Sequence, residues 1–149
     1  MQRRINGFTT VELVVVIVLL GIVTAYVAPK FSGRGGYDEL TAQQDIKQSI
    51  RFAQQLAMSR TDHTITFVTV TNTTPNQIDI RQDGTTIGGT GSAFPYPKSM
   101  SNISLGAATT LTFDRFGSSG SSTTQINFTG SVQTRSVCVQ GITGYAQDC

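Results

Sequence analysis

Charged side chains are scarce in this chain of 149 residues, because Asp, Glu, Lys and Arg together make up only 13% of it. The formal net charge is +2, and two of the eleven basic residues are Arg3 and Arg4, ahead of a long apolar run. A chain that began at Phe8 would carry nine basic and nine acidic side chains. Sparse and balanced charge gives little long-range attraction to nucleic acids or acidic surfaces. The composition therefore does not favour a nucleic acid as partner.

Histidine occurs once, which leaves little material for an active site or a metal centre. His63 stands between Asp62 and Thr64 at the start of a predicted strand. Catalytic roles need a partnered base in a pocket, so an exposed loop histidine is the simpler interpretation. The other Asp residues show no zinc or calcium spacing. We therefore expect no enzymatic activity, no metal and no other cofactor.

Cysteine occurs twice, as Cys138 and Cys149, close together at the far end of the sequence. Behind an export-type N-terminus, an even number of cysteines so placed predicts one disulfide. Two lone structural thiols are the alternative.

The longest apolar run covers residues 8–28, in which Glu12 is the only charged side chain. As a helix these 21 residues would reach about 31 Å, which matches the hydrocarbon core of a bilayer. Arg3 and Arg4 ahead of the run favour a cytoplasmic N-terminus, with the rest of the chain on the outer side. The run predicts a single membrane-spanning helix.

The carboxylate inside this run needs an explanation. A charge near a bilayer centre costs about 2.5 to 3.5 kcal/mol, so Glu12 is a functional hypothesis by default. An ordinary signal peptide is the alternative, but Glu12 and Tyr26 fit it poorly, although a cut after Ala25 is allowed. A cut before Phe8 would create an α-amino group close to Glu12, and the two charges of neighbouring subunits could then pair.

Beyond the run, the hydrophobic period predicts an α+β fold. From Tyr37 to Arg60 apolar residues recur at helical spacing, as at Ile46, Ile50 and Ala53. The side chains assigned to the opposite, solvated face are Asp38, Asp45, Lys47, Gln48, Arg51 and Gln55. After Arg60 the period changes to two, which predicts five or six short antiparallel strands. We expect a long N-terminal helix with a protruding apolar half and an amphipathic half packed on the sheet.

Residues 88–104 are the longest stretch without a clear period, and we predict a surface loop there. Phe94, Tyr96 and Met100 lie in it among glycines and prolines. If exposed, they would make a partner-binding surface; the alternative is that they pack back on the sheet.

The run Gly7-Phe8-Thr9-Thr10-Val11-Glu12, followed by apolar residues, resembles the class III signal sequence of type IV pilins and pseudopilins. In that family a prepilin peptidase cuts after the glycine and methylates the new N-terminal phenylalanine, and the glutamate supports assembly. The resemblance implies a cut after Gly7, methylation of Phe8 and an assembly role for Glu12. It also places helix breakers or kinks at Gly21 and Pro29. Thr10 departs from the leucine usual at its position.

The segment from Leu111 to Tyr145 resembles the H class of minor pseudopilins of type II secretion, and their pilus relatives, in its strand and glycine pattern. The segment Ala28-Pro29-Lys30-Phe31 is similar to pilins of the mannose-sensitive haemagglutinin pilus. These resemblances imply a leader at residues 1–7, a membrane and filament-core helix at 8–30, an amphipathic helix at 31–60 and a β-rich domain at 61–149.

The function implied is that of a structural minor pilin, which enters or primes a type IV pilus through its N-terminal helix. Its expected partners are other pilin subunits, the prepilin peptidase, the inner-membrane assembly platform and, before assembly, the membrane. Its expected location is the bacterial inner membrane, with the C-terminal domain in the periplasm, and then the filament at the cell surface. One alternative is a minor pseudopilin of a type II secretion system. Another is a filament-tip adhesin or DNA-binding module, although residues 144–149 lack Arg and Lys.

Overall fold

The structure, a computed structural model, describes residues 9–27, 35–89 and 94–149. The chain forms two compact units, Met1–Arg34 and Gly35–Cys149. The first contains helix α1 (Thr10–Val27), and the second contains helix α2 (Gly35–Ser59) followed by the strands.

Helix α1 is continuous and almost wholly apolar. Many of its residues are β-branched, which by itself disfavours a helix. A helix nevertheless satisfies all its backbone hydrogen bonds internally, so it is the stable form of such a segment out of water. The helix runs through Gly21 without interruption, so Gly21 does not end it. A single glycine costs a helix only about 1 kcal/mol relative to alanine.

Helix α2 buries one face and ends with a local hydrogen bond. Ile46, Ile50 and Ala53 are fully buried, as the helical spacing predicted. Asp38 lies in the first turn, where a negative charge favours the helix N-terminus. At the other end the Ser59 hydroxyl donates to the Leu56 carbonyl over 3.0 Å.

Nine short strands form two antiparallel sheets in the described part of the second unit. The strands are β1 (Ile65–Val70), β2 (Asn76–Gln82), β3 (Thr85–Thr86), β4 (Lys98–Met100), β5 (Ser104–Leu105), β6 (Thr110–Phe113), β7 (Thr124–Thr129), β8 (Thr134–Val139) and β9 (Ala146–Asp148). The first sheet has the order β3-β2-β1-β6, with β4 also paired to β2; the second has the order β5-β7-β8-β9. The predicted number of five or six was too low because β3, β4, β5 and β9 have two or three residues each, too few for a period to show.

The core lies between the apolar face of α2 and the inner faces of both sheets. Alternation along the strands buries Phe67 from the first sheet and Phe128 and Val137 from the second. Neighbouring strands are in register, for example with Phe67 opposite Ile80 and Leu111. The α+β prediction is confirmed, and the arrangement is consistent with a pilin-like fold.

Candidate functional site

Helix α1 presents an apolar surface on all sides. None of its residues is buried within the chain, and its mean hydropathy is 2.5 over 18 residues. At 1.5 Å per residue it is about 27 Å long, close to the thickness of a bilayer's hydrocarbon core. Among the described residues it is the one helix that is long and apolar enough to cross a membrane. This is compatible with a single-pass membrane anchor.

Glu12, the only charged residue of α1, lies in its first turn. The Thr9 hydroxyl accepts a hydrogen bond from the Glu12 amide over 3.2 Å, and the Thr9 carbonyl accepts one from the Leu13 amide. Thr9 is therefore the N-cap and Glu12 the third helical residue, which is the spacing of a capping box. Within the described part of the chain the Glu12 carboxylate forms no ion pair. We did not predict this capping role, although Thr and Glu three residues apart is a sequence signature for it.

Of the other residues predicted in the first unit, Gly21 lies within α1. Gly7, Phe8 and Pro29 lie outside the described residues. Thr24, one turn after Gly21, donates its hydroxyl to the Leu20 and Gly21 carbonyls at 2.8 and 3.0 Å. Because this hydroxyl is satisfied inside the helix, it leaves the outer surface apolar.

Tyr96 and Met100, two of the three side chains predicted as a partner-binding surface, are buried, as the alternative of inward packing predicted. Most of the other described residues of 88–104 are exposed, as predicted for a surface loop. Tyr96 and Met100 are only 8% and 5% exposed. The Tyr96 ring stacks on Phe52 with centroids 6.0 Å apart, and its hydroxyl donates to the Ser49 hydroxyl over 3.0 Å. A tyrosine can be buried here because its polar end finds a partner on α2. Phe94 is half-buried against Phe52, and residues 90–93 of the predicted loop lie outside the described residues.

The predicted disulfide is confirmed. Cys138 and Cys149 are bonded, with Cα atoms 5.3 Å apart, and this bond joins β8 to the residue after β9.

The segment before Cys149 is also attached to α2, along a face predicted to be solvated. The Lys47 ammonium lies 2.8 Å from the Asp148 carboxylate, and its side chain is only 11% exposed. One turn on, the Arg51 guanidinium lies over the Tyr145 ring. This part of the α2 face is therefore covered by the C-terminal segment; helical spacing could not reveal it, because the partners are about 100 positions away in sequence.

Sequence reasoning missed Glu39, a fully buried carboxylate on α2. Its Oε1 atom accepts hydrogen bonds from the amides of Val132 and Gln133 in the β7–β8 turn, at 2.7 and 3.0 Å. The Gln133 hydrogen bond, more than any other interaction, holds the pKa of Glu39 below its ordinary value, although burial acts in the opposite direction. A Cβ atom at Gly130 would lie 2.2 Å from Cγ of Glu39. The contact therefore requires a glycine in this turn, and it fastens the turn to α2.

His63 belongs to a local hydrogen-bonded cluster rather than to a free loop. Its Nδ1 atom lies 2.6 Å from the Asp83 carboxylate, whose other oxygen accepts the Thr64 amide. The Thr64 hydrogen bond and then the His63 contact lower the pKa of Asp83. The cluster joins the start of β1 to the β2–β3 turn. In the described residues no three His, Cys, Asp or Glu side chains converge to hold a metal ion.

No family model, curated protein or solved structure matches this chain. The motif at its N-terminus and the geometry of α1 are the features that bear on its function.

Proposed function

We propose that the chain is a structural minor pilin of the type IV class, whose α1 helix is the element that assembles into the filament. The observation that carries the proposal is the surface of α1, which is apolar on all sides, has no buried residue and carries Glu12 as its only charged side chain.

Such a helix must find apolar surroundings. A helix that is apolar all round belongs in a protein core or in a membrane. Within the membrane, lipid tails cover α1. Outside it, equivalent helices of other subunits are the surroundings that restore the same environment. A membrane-bound precursor that later packs into a filament keeps α1 in apolar surroundings both in the membrane and in the filament.

Glu12 gives this assembly a specific contact. A cut after Gly7 leaves Phe8 with a free α-amino group, four residues before Glu12 in the sequence. A neighbouring subunit's amino group beside Glu12 would neutralise a carboxylate that is costly in apolar surroundings. The prepilin peptidase, the assembly platform of the inner membrane and other pilin subunits are the partners that this sequence of events requires.

The contacts of α1 and of the 88–104 segment bear differently on the two alternative functions. A minor pseudopilin of a type II secretion system would use α1 in the same way, and neighbouring genes would separate the two. The tip-adhesin hypothesis loses its strongest argument, because Tyr96 and Met100 are buried.

The experiment is filament assembly by Glu12 variants expressed with the remaining assembly proteins. We expect Glu12→Ala to reduce filaments at least tenfold while the chain stays in the membrane, and Glu12→Gln to be milder because it keeps a polar group. Thr24→Val is the matched control in the same helix, since the Thr24 hydroxyl is already satisfied internally; it should assemble normally.

Normal assembly by Glu12→Ala would contradict the proposal. The intact mass of the chain from native membranes provides a second check, with a methylated Phe8 expected as the first residue. A chain that began after Ala25 would have lost Glu12 and would exclude this mechanism.

A further inference from the structure

All seven exposed large apolar side chains in the described part of the second unit fall into two groups at opposite ends of α2. The distal patch consists of Met58, Phe116, Ile142 and Tyr145, which are 43%, 75%, 77% and 52% exposed. The proximal patch consists of Tyr37, Leu40 and Val132, which are 73%, 44% and 68% exposed. Clustered exposed apolar residues mark interaction surfaces more often than scattered ones do.

The distal patch stands on a fixed backbone. Gln54 on α2 donates its amide to the carbonyls of Gly117 and Thr143, at 3.0 and 2.7 Å, and so joins the β6–β7 and β8–β9 loops. At Gly144 the φ angle is +64°, and a Cβ atom there would lie 2.0 Å from the Gly117 carbonyl oxygen. The loops that carry Phe116 and Ile142 are therefore closely packed, and they hold these apolar side chains outward.

The backbone that carries the proximal patch is also held in place by contacts. Tyr37 and Leu40 are three residues apart, so they share one side of a helical turn. Val132 lies in the β7–β8 turn, which Glu39 fastens to the same turn of α2. Tyr37 and Met58 are 21 residues apart on α2, which separates the two patches by about 31 Å along the helix.

The charges beside the two patches are opposite. The Arg51 and Arg115 guanidinium groups lie 5.9 and 4.8 Å from the ring centroids of Tyr145 and Phe116. Neither arginine forms an ion pair within the described residues. Beside the proximal patch, the Asp38 carboxylate accepts a hydrogen bond from the Asn102 amide over 3.2 Å and forms no ion pair within the part of the chain that the structure describes. The Asp114 carboxylate, which accepts a hydrogen bond from the Phe116 amide, also lies beside the distal patch. With two guanidinium groups against this one carboxylate, the distal patch has an excess of positive charge, whereas the proximal patch has the carboxylate of Asp38.

We propose that the distal patch of one copy binds the proximal patch of a second copy, head to tail, with Arg115 near Asp38 of the other copy. This inference rests on the proposed filament function and gives the second unit a contact of its own. A contact between two different surfaces joins copies into a closed ring or an open series, and a filament corresponds to the open series.

The contact is small compared with stable interfaces, which bury about 800 Å² on each partner. Three or four side chains on each side supply only part of that area, so the contact is weak between free molecules. Association of the α1 helices would raise the effective concentration of the two patches and make the contact significant.

The test uses the full chain in membranes, with cysteines added one to each patch. The native cysteines are already paired. Oxidation of Leu40→Cys/Ile142→Cys should give a ladder of disulfide-linked multimers on non-reducing gels, while each single variant should give none. Leu40→Cys with Thr110→Cys is the matched control, because Thr110 is exposed on β6 outside both patches. No ladder in the double variant, or dimers from Ile142→Cys alone, would overturn the proposal.

Charge reversal tests the orientation. Arg115→Asp in the double-cysteine chain should reduce the multimers at least fivefold, and adding Asp38→Arg should restore them. No reduction, or no rescue, would contradict the pairing of these two surfaces.

A cysteine at Val14 on α1 separates this inference from the proposed function. Cross-links through Val14→Cys without a patch ladder would reject the head-to-tail contact alone. A ladder without Val14 cross-links or filaments would reject the assembly role of α1. Because the head-to-tail contact is inferred within the filament, the same result would also reject it as a filament contact.

Discussion

Removing the Cys138–Cys149 disulfide should lower the free energy of unfolding of the second unit by about 3 kcal/mol. The two cysteines are 11 residues apart, and in the chain-entropy model a closed loop of that size stabilises by about 2.8 kcal/mol at 25 °C. For a unit of this length each kcal/mol corresponds to about 4 °C, so Tm should fall by about 11 °C. The fold should persist, because the buried Ala146 still attaches β9 to β8.

The assay is thermal unfolding of the full chain in detergent, followed by circular dichroism. Cys138→Ala, Cys149→Ala and the double variant should share one Tm, and a reductant should lower the wild-type Tm to the same value. Asp148→Asn is the control for the neighbouring ion pair; the Asp148 side chain is 62% exposed, so its loss should cost below about 1 kcal/mol. Wild-type and cysteine variants that melt within 2 °C of each other would refute the reasoning.

Three further outcomes are expected. Phe67→Ala, at a fully buried position, should lower the unfolding free energy by about 3 to 5 kcal/mol in chemical denaturation; a loss below 1 kcal/mol would contradict the described core. Gly130→Ala should destabilise the chain more than alanine at an exposed turn, because its Cβ would clash with Glu39; thermal melts of Gly130→Ala and of Gly130→Ala with Glu39→Ala should show partial relief in the second. The pKa of Asp83 is lowered from 3.8 on folding, so its carboxylate stabilises the fold above that pH and loses the effect as the pH falls through the folded-state pKa. Asp83→Asn should therefore lower Tm at pH 7, and the difference from wild type should shrink at pH 3; an equal difference at both pH values would contradict it.

The parts of the fold that follow from local periodicity were predictable. Ile46 and Ile50 recur at helical spacing and are buried, and Phe67 and Phe128 alternate with polar neighbours and are buried. The same signals gave the α+β class, because each depends on a few adjacent residues. The disulfide was also predictable, since only two cysteines were available to pair.

The contacts between residues that are far apart in sequence could not be predicted. Lys47 looked like a solvated helix residue until Asp148 was placed beside it. Tyr96 looked like part of a surface loop because its partner, Ser49, is 47 residues away on α2. Glu39 carried no sequence signal that distinguished it from a surface carboxylate, since its two partners are backbone amides of a remote turn.

The attachment of α2 on both flanks has a mechanical consequence. On one side Asp45 lies 2.6 Å from Lys98, and on the other Lys47 lies 2.8 Å from Asp148. A pull applied at Gly35, where the chain enters this unit, is therefore passed to strands of both sheets, β4 in one and β9 in the other. Displacing α2 from one sheet also strains its contacts with the other.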